Sequence, residues 1–115
     1  MYIVYQLKLT NNKHYFGHTP LWRKEARLEE HKKGVGAKWT ARFPPVDKPV
    51  VQTWQFKTRK DANLFENQKC EEFLKRYGID SCRGGKQNYG DVGGYRWWVR
   101  NHLRYLVPKE YKYDS

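Results

Sequence analysis

The chain has 115 residues, with 23 Lys and Arg against 12 Asp and Glu, and its formal net charge at pH 7 is +11. That length suits one domain with a modest core, and so positive a balance indicates a polyanionic partner that neutralises it. The sequence contains no long apolar run, signal peptide or polybasic amphipathic anchor. This argues against a membrane partner and predicts an intracellular protein that is not secreted.

Aromatic residues make up 17% of the chain and stand among basic ones. This mixture suits nucleic acid, because cations meet phosphates and rings stack on bases, but rings also fill the core of a small domain. Neither Cys70 nor Cys82 has a CxxC or CxxH partner, which argues against a zinc site. A disulfide between the two is left open, and reduced thiols are the expectation inside a cell.

The first elements are predicted to form a β-hairpin. Residues 2–9 read YIVYQLKL, rich in β-branched and aromatic side chains, and alternate residues from Ile3 to Leu9 share one face. Residues 10–13 have the composition of a turn, and residues 14–18 form the returning strand.

A helix is predicted to follow, with Thr19 as its N-cap, Pro20 at its first position and Gly34 as its terminator. Leu21 and Leu28 mark the side of this helix that is expected to be buried. A stripe at a spacing of four residues carries Arg23, Arg27 and His31.

The middle of the chain is predicted to alternate loop, strand and helix. Residues 34–49 form a basic loop with at most one helical turn near Trp39, and residues 50–56 form the third strand. Thr58, with Asp61 three residues on, caps a second long helix that ends before the next glycine.

The last third of the chain is predicted to contain a glycine-rich loop at residues 82–94, a helix at residues 95–107 and a polar tail at residues 108–115. Residues 1–107 are therefore predicted to form one domain with the element order β-β-α-β-α-α. This order predicts an α+β fold, in which a three-stranded antiparallel sheet is flanked by helices.

Two tripeptides, Ile3-Val4-Tyr5 and Tyr15-Phe16-Gly17, lie on the two strands of the predicted hairpin. Arg27 and His31 follow on the first helix, and Glu66 lies on the second. In this combination the chain resembles the GIY-YIG nuclease family. The first tripeptide begins with isoleucine where the family has glycine, but that glycine supplies no chemical group to the reaction.

The resemblance extends over about residues 2–89. Residues 36–40 (GAKWT) are similar to a segment of small stand-alone members, and Asn88 lies where many members carry an asparagine. The resemblance implies an endonuclease that hydrolyses DNA phosphodiester bonds with Mg²⁺ or Mn²⁺, in DNA repair or recombination. The alternatives are a catalytically inactive nucleic-acid-binding module on the same fold, or an adaptor that binds acidic protein.

Glu66 stands within the apolar stripe of the second helix, four residues after Ala62 and four before Cys70. A carboxylate in such a place is costly unless a cation or metal meets it. The resemblance implies that Glu66 binds the metal, whereas the residues alone favour an acid paired with Arg or Lys. One carboxylate is too few to hold Mg²⁺ tightly, so waters and the substrate phosphate are expected to complete the shell.

The tyrosines of the two tripeptides have a structural and a chemical interpretation. By itself each is an ordinary core tyrosine, but the resemblance implies that Tyr5 acts as a general base or positions water, with Tyr15 beside it. Free tyrosine has a pKa of about 10, so a tyrosine base needs positive charge nearby, from Arg27, His18 or the metal.

Four further residues complete the expected site. Arg27 is expected to clamp a phosphate with its planar guanidinium. His31 is expected to contact phosphate or shuttle a proton, the alternative being a surface histidine near the end of a helix. His18 is expected to help lower a tyrosine pKa. Asn88 is expected to orient water or a side chain, the alternative being an ordinary loop residue.

Basic side chains outside this site are predicted to contact DNA phosphates, namely Lys38, Arg42, Arg83, Lys86, Arg96, Arg100 and Arg104. Trp39 is expected to stack on a base or to wedge into the duplex. No base-reading module is visible in the sequence. We therefore expect cleavage of duplex or branched DNA with structure-selective or low sequence specificity, and targeting by a partner protein.

Overall fold

The computed structural model describes residues 1–78 and 81–84 of the chain. Outside these residues lie most of the predicted loop at 82–94, the predicted helix at 95–107 and the predicted tail at 108–115, with the domain boundary between the last two. Outside them also lie the predicted site residue and DNA contacts Asn88, Lys86, Arg96, Arg100 and Arg104.

The described strands form one mixed sheet in the order β3-β1-β2-β4. They are β1 (Tyr2–Leu9), β2 (His14–Pro20), β3 (Pro45–Phe56) and β4 (Cys82–Gly84). β1 is antiparallel to both β2 and β3, whereas β4 runs parallel to β2. The α+β class is confirmed, but the prediction of a three-stranded antiparallel sheet is wrong, because a fourth, parallel strand joins the edge.

β4 lies inside the segment that was predicted to be only a glycine-rich loop. It has three residues, too few to show the alternation that reveals a strand in sequence. Long-range contacts hold it in place: the His14 N–H donates to the Ser81 carbonyl at 2.8 Å, and the Cys82 sulfur lies 3.4 Å from that of Cys70. Both cysteines are free and buried.

Three α-helices flank the sheet in the described part of the chain: α1 (Lys24–Lys32), α2 (Lys38–Arg42) and α3 (Arg59–Tyr77). Short 3-10 turns occupy Thr10–Asn12 and Leu21–Arg23. Among the described residues, no helix combines the length and the hydropathy that crossing a bilayer requires.

The hairpin is longer than predicted, and the first helix starts later. Strand pairing continues to Pro20, and the Leu21 N–H then donates to the Met1 carbonyl at 3.0 Å. Thr19 is therefore a buried strand residue rather than an N-cap, and Leu21 is 37% exposed rather than buried. Gly34 follows α1 with a φ of +79°, which confirms the prediction that the first helix is terminated at this glycine.

β3 begins at Pro45, five residues before the predicted start at residue 50. Its pairing with β1 shifts register twice, on either side of Leu7, and Lys48 adopts a φ of 54°. This irregular pairing explains why the strand pattern was visible only in the regular second half. In contrast, α3 agrees with its prediction: Thr58 Oγ1 accepts a hydrogen bond from the Asp61 N–H at 3.1 Å.

The sheet has two faces, which we name after the helices that cover them. The α1 face carries the alternate β1 residues Ile3 to Leu9, together with Tyr15 and Gly17 of β2. On it, Trp39 of α2 joins Tyr5, Leu7, Leu9 and Tyr15 in the core. The α3 face carries the other set of side chains, which includes Gln6, His14, Phe16 and His18. On it, the Phe73 ring of α3 packs against His14 and Phe16.

Candidate active site

Tyr5 and Tyr15 lie side by side on the α1 face, with ring centroids 6.4 Å apart. Both are buried, at 1% and 4% exposure. Gly17 lies directly opposite Tyr5 in the hairpin register, and a Cβ on Gly17 would come within 2.5 Å of Tyr5 Oη and 2.8 Å of Tyr15 Cε2. The tyrosine rings therefore occupy the space that any other residue at position 17 would fill.

His31 joins the tyrosines from α1. Its Nε2 lies 2.7 Å from Tyr5 Oη, and its Nδ1 lies 2.9 Å from Thr40 Oγ1. Thr40 in turn donates to the Ala37 carbonyl at 3.1 Å. His31 is fully buried and both ring nitrogens have partners, so the interpretations as a surface histidine and as a direct phosphate contact are wrong. Proton transfer is compatible with this position.

The imidazole of His31 is neutral near pH 7. Burial, followed by the positive charge of Arg27, lowers the pKa of His31 from 6.5 to about 4, although Glu30 opposes the shift. A neutral ring has one nitrogen that donates and one that accepts a hydrogen bond. His31 therefore has an acceptor nitrogen available within its buried contacts.

Arg27 links the buried tyrosines to solvent. Its positive charge lowers the pKa of the Tyr5 and Tyr15 hydroxyls, and its side chain is 26% exposed. Glu30 holds it from outside at 3.3 Å and also pairs with Arg23 at 2.9 Å. Glu30 was missed by the sequence analysis, although its spacing of three from Arg27 is that of a helix-surface ion pair.

Arg27 lowers the pKa of both tyrosines, as expected, but burial outweighs this effect. Burial raises the pKa of Tyr5 well above its ordinary value, Tyr15 adds to the rise, and Arg27 offsets only part of it. Burial and then the charge of Glu66 raise the pKa of Tyr15 to about 12. Both hydroxyls are therefore protonated at neutral pH, because desolvation of a phenolate outweighs the attraction of Arg27.

Glu66 and His18 form a bonded pair on the α3 face. His18 Nδ1 lies 2.9 Å from Glu66 Oε2, and the side chains are 18% and 5% exposed. The burial that was predicted for Glu66 is confirmed. His18 was expected to act on a tyrosine, but its side chain instead pairs with Glu66. The negative charge of Glu66 nevertheless acts on Tyr5 and Tyr15 and raises the pKa of both.

The two faces meet at the outer edge of β2. β4 pairs with β2 only from His14 to Phe16, so no described strand covers that edge beside Gly17. At Gly17 the tyrosine rings lie over the backbone on one face, and the charge of Glu66 on the other face raises the pKa of both tyrosines. The groups around this position are an acid, a cation, a neutral imidazole and two hydroxyls.

The donor set at this edge fits a hard, loosely held cation. Within residues 1–78 and 81–84, no three His, Cys, Asp or Glu side chains converge into a metal-binding group. A buried carboxylate such as Glu66 is an oxygen donor of the kind that Mg²⁺ and Mn²⁺ accept, with the remaining positions filled by water and a substrate phosphate. His18 would then fix the orientation of the carboxylate from behind.

Two of the predicted DNA contacts are structural instead. Trp39 is fully buried, with its indole N–H donating to the His14 carbonyl at 3.0 Å, so it does not stack on DNA. Arg83 is also fully buried, with its guanidinium 4.0 Å from the centre of the Trp39 ring. Both predictions are wrong, because tertiary packing turns α2 and β4 toward the core. Lys38 and Arg42, on the outer side of α2, are exposed.

The structure places the six predicted site residues in two groups: Tyr5, Tyr15, Arg27 and His31 lie on the α1 face, and His18 and Glu66 lie on the α3 face, where the charge of Glu66 acts on both tyrosines. It adds Glu30, which stands three residues after Arg27 on the same helix, and Thr40, which no spacing in the sequence connects to His31. No family model, no curated protein and no solved structure matches the chain. Its function must therefore be argued from the chemistry of this cluster.

Proposed function

We propose that this chain is a divalent-metal-dependent endonuclease of the GIY-YIG type, which hydrolyses phosphodiester bonds of DNA. The observation that carries the proposal is the 2.7 Å contact between the Tyr5 hydroxyl and the buried, neutral His31, beside Arg27 and within the field of Glu66. Hydrolysis needs a proton acceptor for water, a cation for the phosphate and charge neutralisation at the leaving oxygen. This cluster offers a candidate for each need.

Tyr5 and His31 together are the best candidates to accept a proton from the attacking water. A free phenolate is not available at neutral pH, because burial holds the pKa of Tyr5 high. The Tyr5 hydroxyl lies 2.7 Å from Nε2 of the neutral His31 ring, which can accept its proton. Tyr5 therefore accepts a proton from water while it passes its own proton to His31.

In the proposed reaction a water molecule attacks the phosphorus of the scissile phosphate. The water O–H bond breaks as the new O–P bond forms, and the proton moves to Tyr5 Oη. The Tyr5 proton moves to His31 Nε2, across the 2.7 Å contact. The leaving oxygen departs with the electron pair of its P–O bond and takes a proton from solvent, and His31 later returns its proton to solvent.

Arg27 is suited to hold the scissile phosphate. A guanidinium has five N–H donors and stays charged, so its ion pair with Glu30 leaves donors for phosphate oxygens. The side chain of Arg27 is 26% exposed, so a phosphate can reach it from solvent. Its charge would also stabilise negative charge that builds up on the phosphate during attack.

Glu66 is the residue that would hold the metal ion, and His18 would orient it. A bound Mg²⁺ or Mn²⁺ supplies positive charge that stabilises the leaving oxygen. Because one carboxylate alone binds Mg²⁺ weakly, we expect the affinity for metal to depend on the presence of DNA.

The positive balance of the chain supports a polyanionic substrate, and Lys38 and Arg42 are exposed phosphate contacts on α2. We propose duplex or branched DNA as the substrate, with structure-selective or low sequence specificity. In that case a partner protein supplies the targeting.

The test is a cleavage assay on supercoiled plasmid and on labelled duplex, single-stranded and branched DNA, with Mg²⁺ or Mn²⁺. Glu66→Gln should lower the cleavage rate by roughly 100-fold or more, because the carboxylate charge is lost while its shape is kept. Glu72→Gln is the matched control, since it removes an exposed acid from the same helix and should cleave at the parent rate.

DNA affinity, measured by fluorescence anisotropy at several salt concentrations, separates the alternatives. An endonuclease with this site predicts that Glu66→Gln still binds DNA but does not cut it. If the parent protein binds DNA in a salt-dependent manner and never cuts it with either metal, the inactive binding module is the correct interpretation.

A further inference from the structure

Thr40 lies where it can determine which nitrogen of His31 carries the proton. Its Oγ1 is 2.9 Å from His31 Nδ1 and 3.1 Å from the Ala37 carbonyl oxygen. A carbonyl oxygen only accepts, so the single hydroxyl proton of Thr40 points to Ala37 in this arrangement. The oxygen of Thr40 is then an acceptor toward His31, and Nδ1 must be the nitrogen that donates.

The opposite end of His31 fits this assignment. Tyr5 Oη lies 2.7 Å from Nε2, and with Nδ1 donating to Thr40 the unprotonated Nε2 accepts the hydroxyl proton of Tyr5. If Nε2 carried the proton instead, it would donate to the Tyr5 oxygen, and the Tyr5 proton would lose this partner. The chain of hydrogen bonds therefore has one direction, from Tyr5 through His31 to Thr40 and on to Ala37.

We propose that Thr40 is a positioning residue for the proton transfer: it holds His31 in the Nδ1–H tautomer and thereby keeps Nε2 free to accept the Tyr5 proton. This inference rests on the proposed function for its catalytic meaning. Thr40 itself is fully buried and contacts His31 rather than the reacting atoms. It acts through the ring, as a residue behind a ligand or base commonly does.

The packing around the ring supports a fixed orientation. A Cβ on Gly36 would come within 2.5 Å of His31 Nδ1, so the backbone before α2 lies directly against this edge of the ring. The rings of Tyr5 and Tyr15 cover it from the sheet, with centroids 5.6 and 4.9 Å away. Thr40 is the polar side chain that meets Nδ1 within this enclosure.

The charged and titratable groups that act on His31 are few in the described part of the chain. Arg27 and Glu30 lie on its own helix, and Tyr5 and Tyr15 face it from β1 and β2. α2 contributes Thr40, which has no charge. A change at Thr40 therefore alters a hydrogen bond and leaves every neighbouring charge in place, which makes it a clean perturbation.

The test uses Thr40→Val and Thr40→Ser in the full chain, with Thr53→Val on the exposed part of β3 as a control. Valine keeps the shape of threonine but removes the acceptor, so we expect cleavage at saturating DNA to fall by roughly 10- to 100-fold with little change in KM. Serine restores the hydroxyl and should stay within about 3-fold of the parent rate, as should Thr53→Val.

Nitrogen NMR of histidine-labelled protein reads the tautomer without any need for activity. In the parent, His31 should show a protonated Nδ1 and an unprotonated Nε2, and Thr40→Val should shift this ring toward a mixture while Thr40→Ser keeps it. Circular dichroism of each variant establishes that it is folded. Because the serine variant retains the hydroxyl, it remains informative if valine unfolds the protein.

Three results would overturn the inference: a parent His31 protonated at Nε2, a Thr40→Val variant that cleaves at the parent rate, or a serine variant as slow as the valine one. A parent protein that cuts no DNA would instead refute the proposed function and with it the catalytic purpose of Thr40. The NMR signals would in that case still decide whether Thr40 sets the tautomer, so the two failures are distinguishable.

Discussion

The two faces of the sheet bury different kinds of polar group. On the α1 face, Tyr5, His31 and Thr40 are fully buried and connected by hydrogen bonds between neutral groups. On the α3 face, the acid Glu66 has His18 as its partner, and the His18 side chain is 18% exposed. Burying neutral groups costs little when each is hydrogen-bonded, whereas burying a charge demands a partner or access to water.

This difference assigns separate tasks to the two faces. The α1 face is buried and closely packed, which suits a proton relay whose distances must not vary. The α3 face keeps a carboxylate near the part of β2 that no described strand pairs with on its outer side, which suits a ligand that arrives with the substrate. Gly17 is the point at which the two faces meet, because the tyrosine rings lie over its backbone.

Among the changes that separate the two faces, Gly17→Ala has the largest expected effect, and it should damage the α1 face alone. The added methyl would lie 2.5 Å from Tyr5 Oη, and the strand carrying Tyr5 is paired on both sides, so the ring must move. A displacement of about 1 Å at a reacting group costs roughly 100-fold in rate, and overpacking costs about 1–3 kcal/mol of stability. Cleavage kinetics and urea unfolding measure both.

The same NMR spectra show where the damage is confined. In Gly17→Ala the imidazole signals of His31 should shift, while those of His18, which is held by Glu66 on the α3 face, should stay near the parent values. Parent-like cleavage by this variant would mean that Tyr5 takes no part in the reaction, and the division of tasks between the faces would be wrong.

The next effect in size is acid destabilisation by His31. Its pKa is lowered from 6.5 to about 4 in the folded protein, so the unfolded chain binds the proton more tightly. The free energy of unfolding contributed by His31 is therefore complete above about pH 6.5 and is lost as the pH falls to about 4, by about 3 kcal/mol in total. Urea titrations at several pH values across this range measure the loss.

His31→Gln should remove this part of the pH dependence, because glutamine does not titrate. The same replacement at His18, on the α3 face, is the matched control and should leave the contribution of His31 in place. Burial also lowers the pKa of His14, so a smaller loss of the same sign is expected to persist in both variants. An unchanged slope in His31→Gln would contradict the neutral, buried ring.

Local patterns in the sequence predicted the parts of this site that depend on one element. The alternation in β1 buried Tyr5, the stripe of α3 buried Glu66, and the Thr58 cap fixed where α3 begins. These features follow from periodicity and capping, which act within a few residues. A single strand or helix can therefore be predicted from the sequence before the elements that pack against it are known.

The parts of the fold and the site that depend on contacts between several elements could not be predicted from the sequence. Thr40 contacts a ring nine residues earlier, and Arg83 of β4 stacks on Trp39 of α2, so neither arrangement leaves a periodic trace. For the same reason β4 was read as a loop and Trp39 as a DNA contact. Whether such a residue is buried depends on tertiary packing. Composition does not reveal this, because the same aromatic residue types fill protein cores and stack on DNA bases.

The smallest expected effects come from replacing two tryptophans by alanine, one beside each face. Comparing the two variants shows which face of the sheet the DNA covers. Trp22 is 84% exposed in the turn that leads to α1, next to Arg23. Trp54 is partly buried on the α3 face, where its ring packs on Phe65 beneath the Lys69 ammonium group. The two positions therefore differ in what an alanine would remove.

Trp22→Ala should leave stability within about 0.5 kcal/mol of the parent and weaken DNA binding by about 3- to 10-fold, because an exposed ring can stack on a base and packs on little else. Trp54→Ala should cost about 1–3 kcal/mol of stability and change DNA affinity little, since its ring is engaged within the protein. Thermal unfolding and fluorescence anisotropy measure the two quantities. The reverse pattern of affinities would place the DNA over the α3 face and contradict a stacking contact at Trp22.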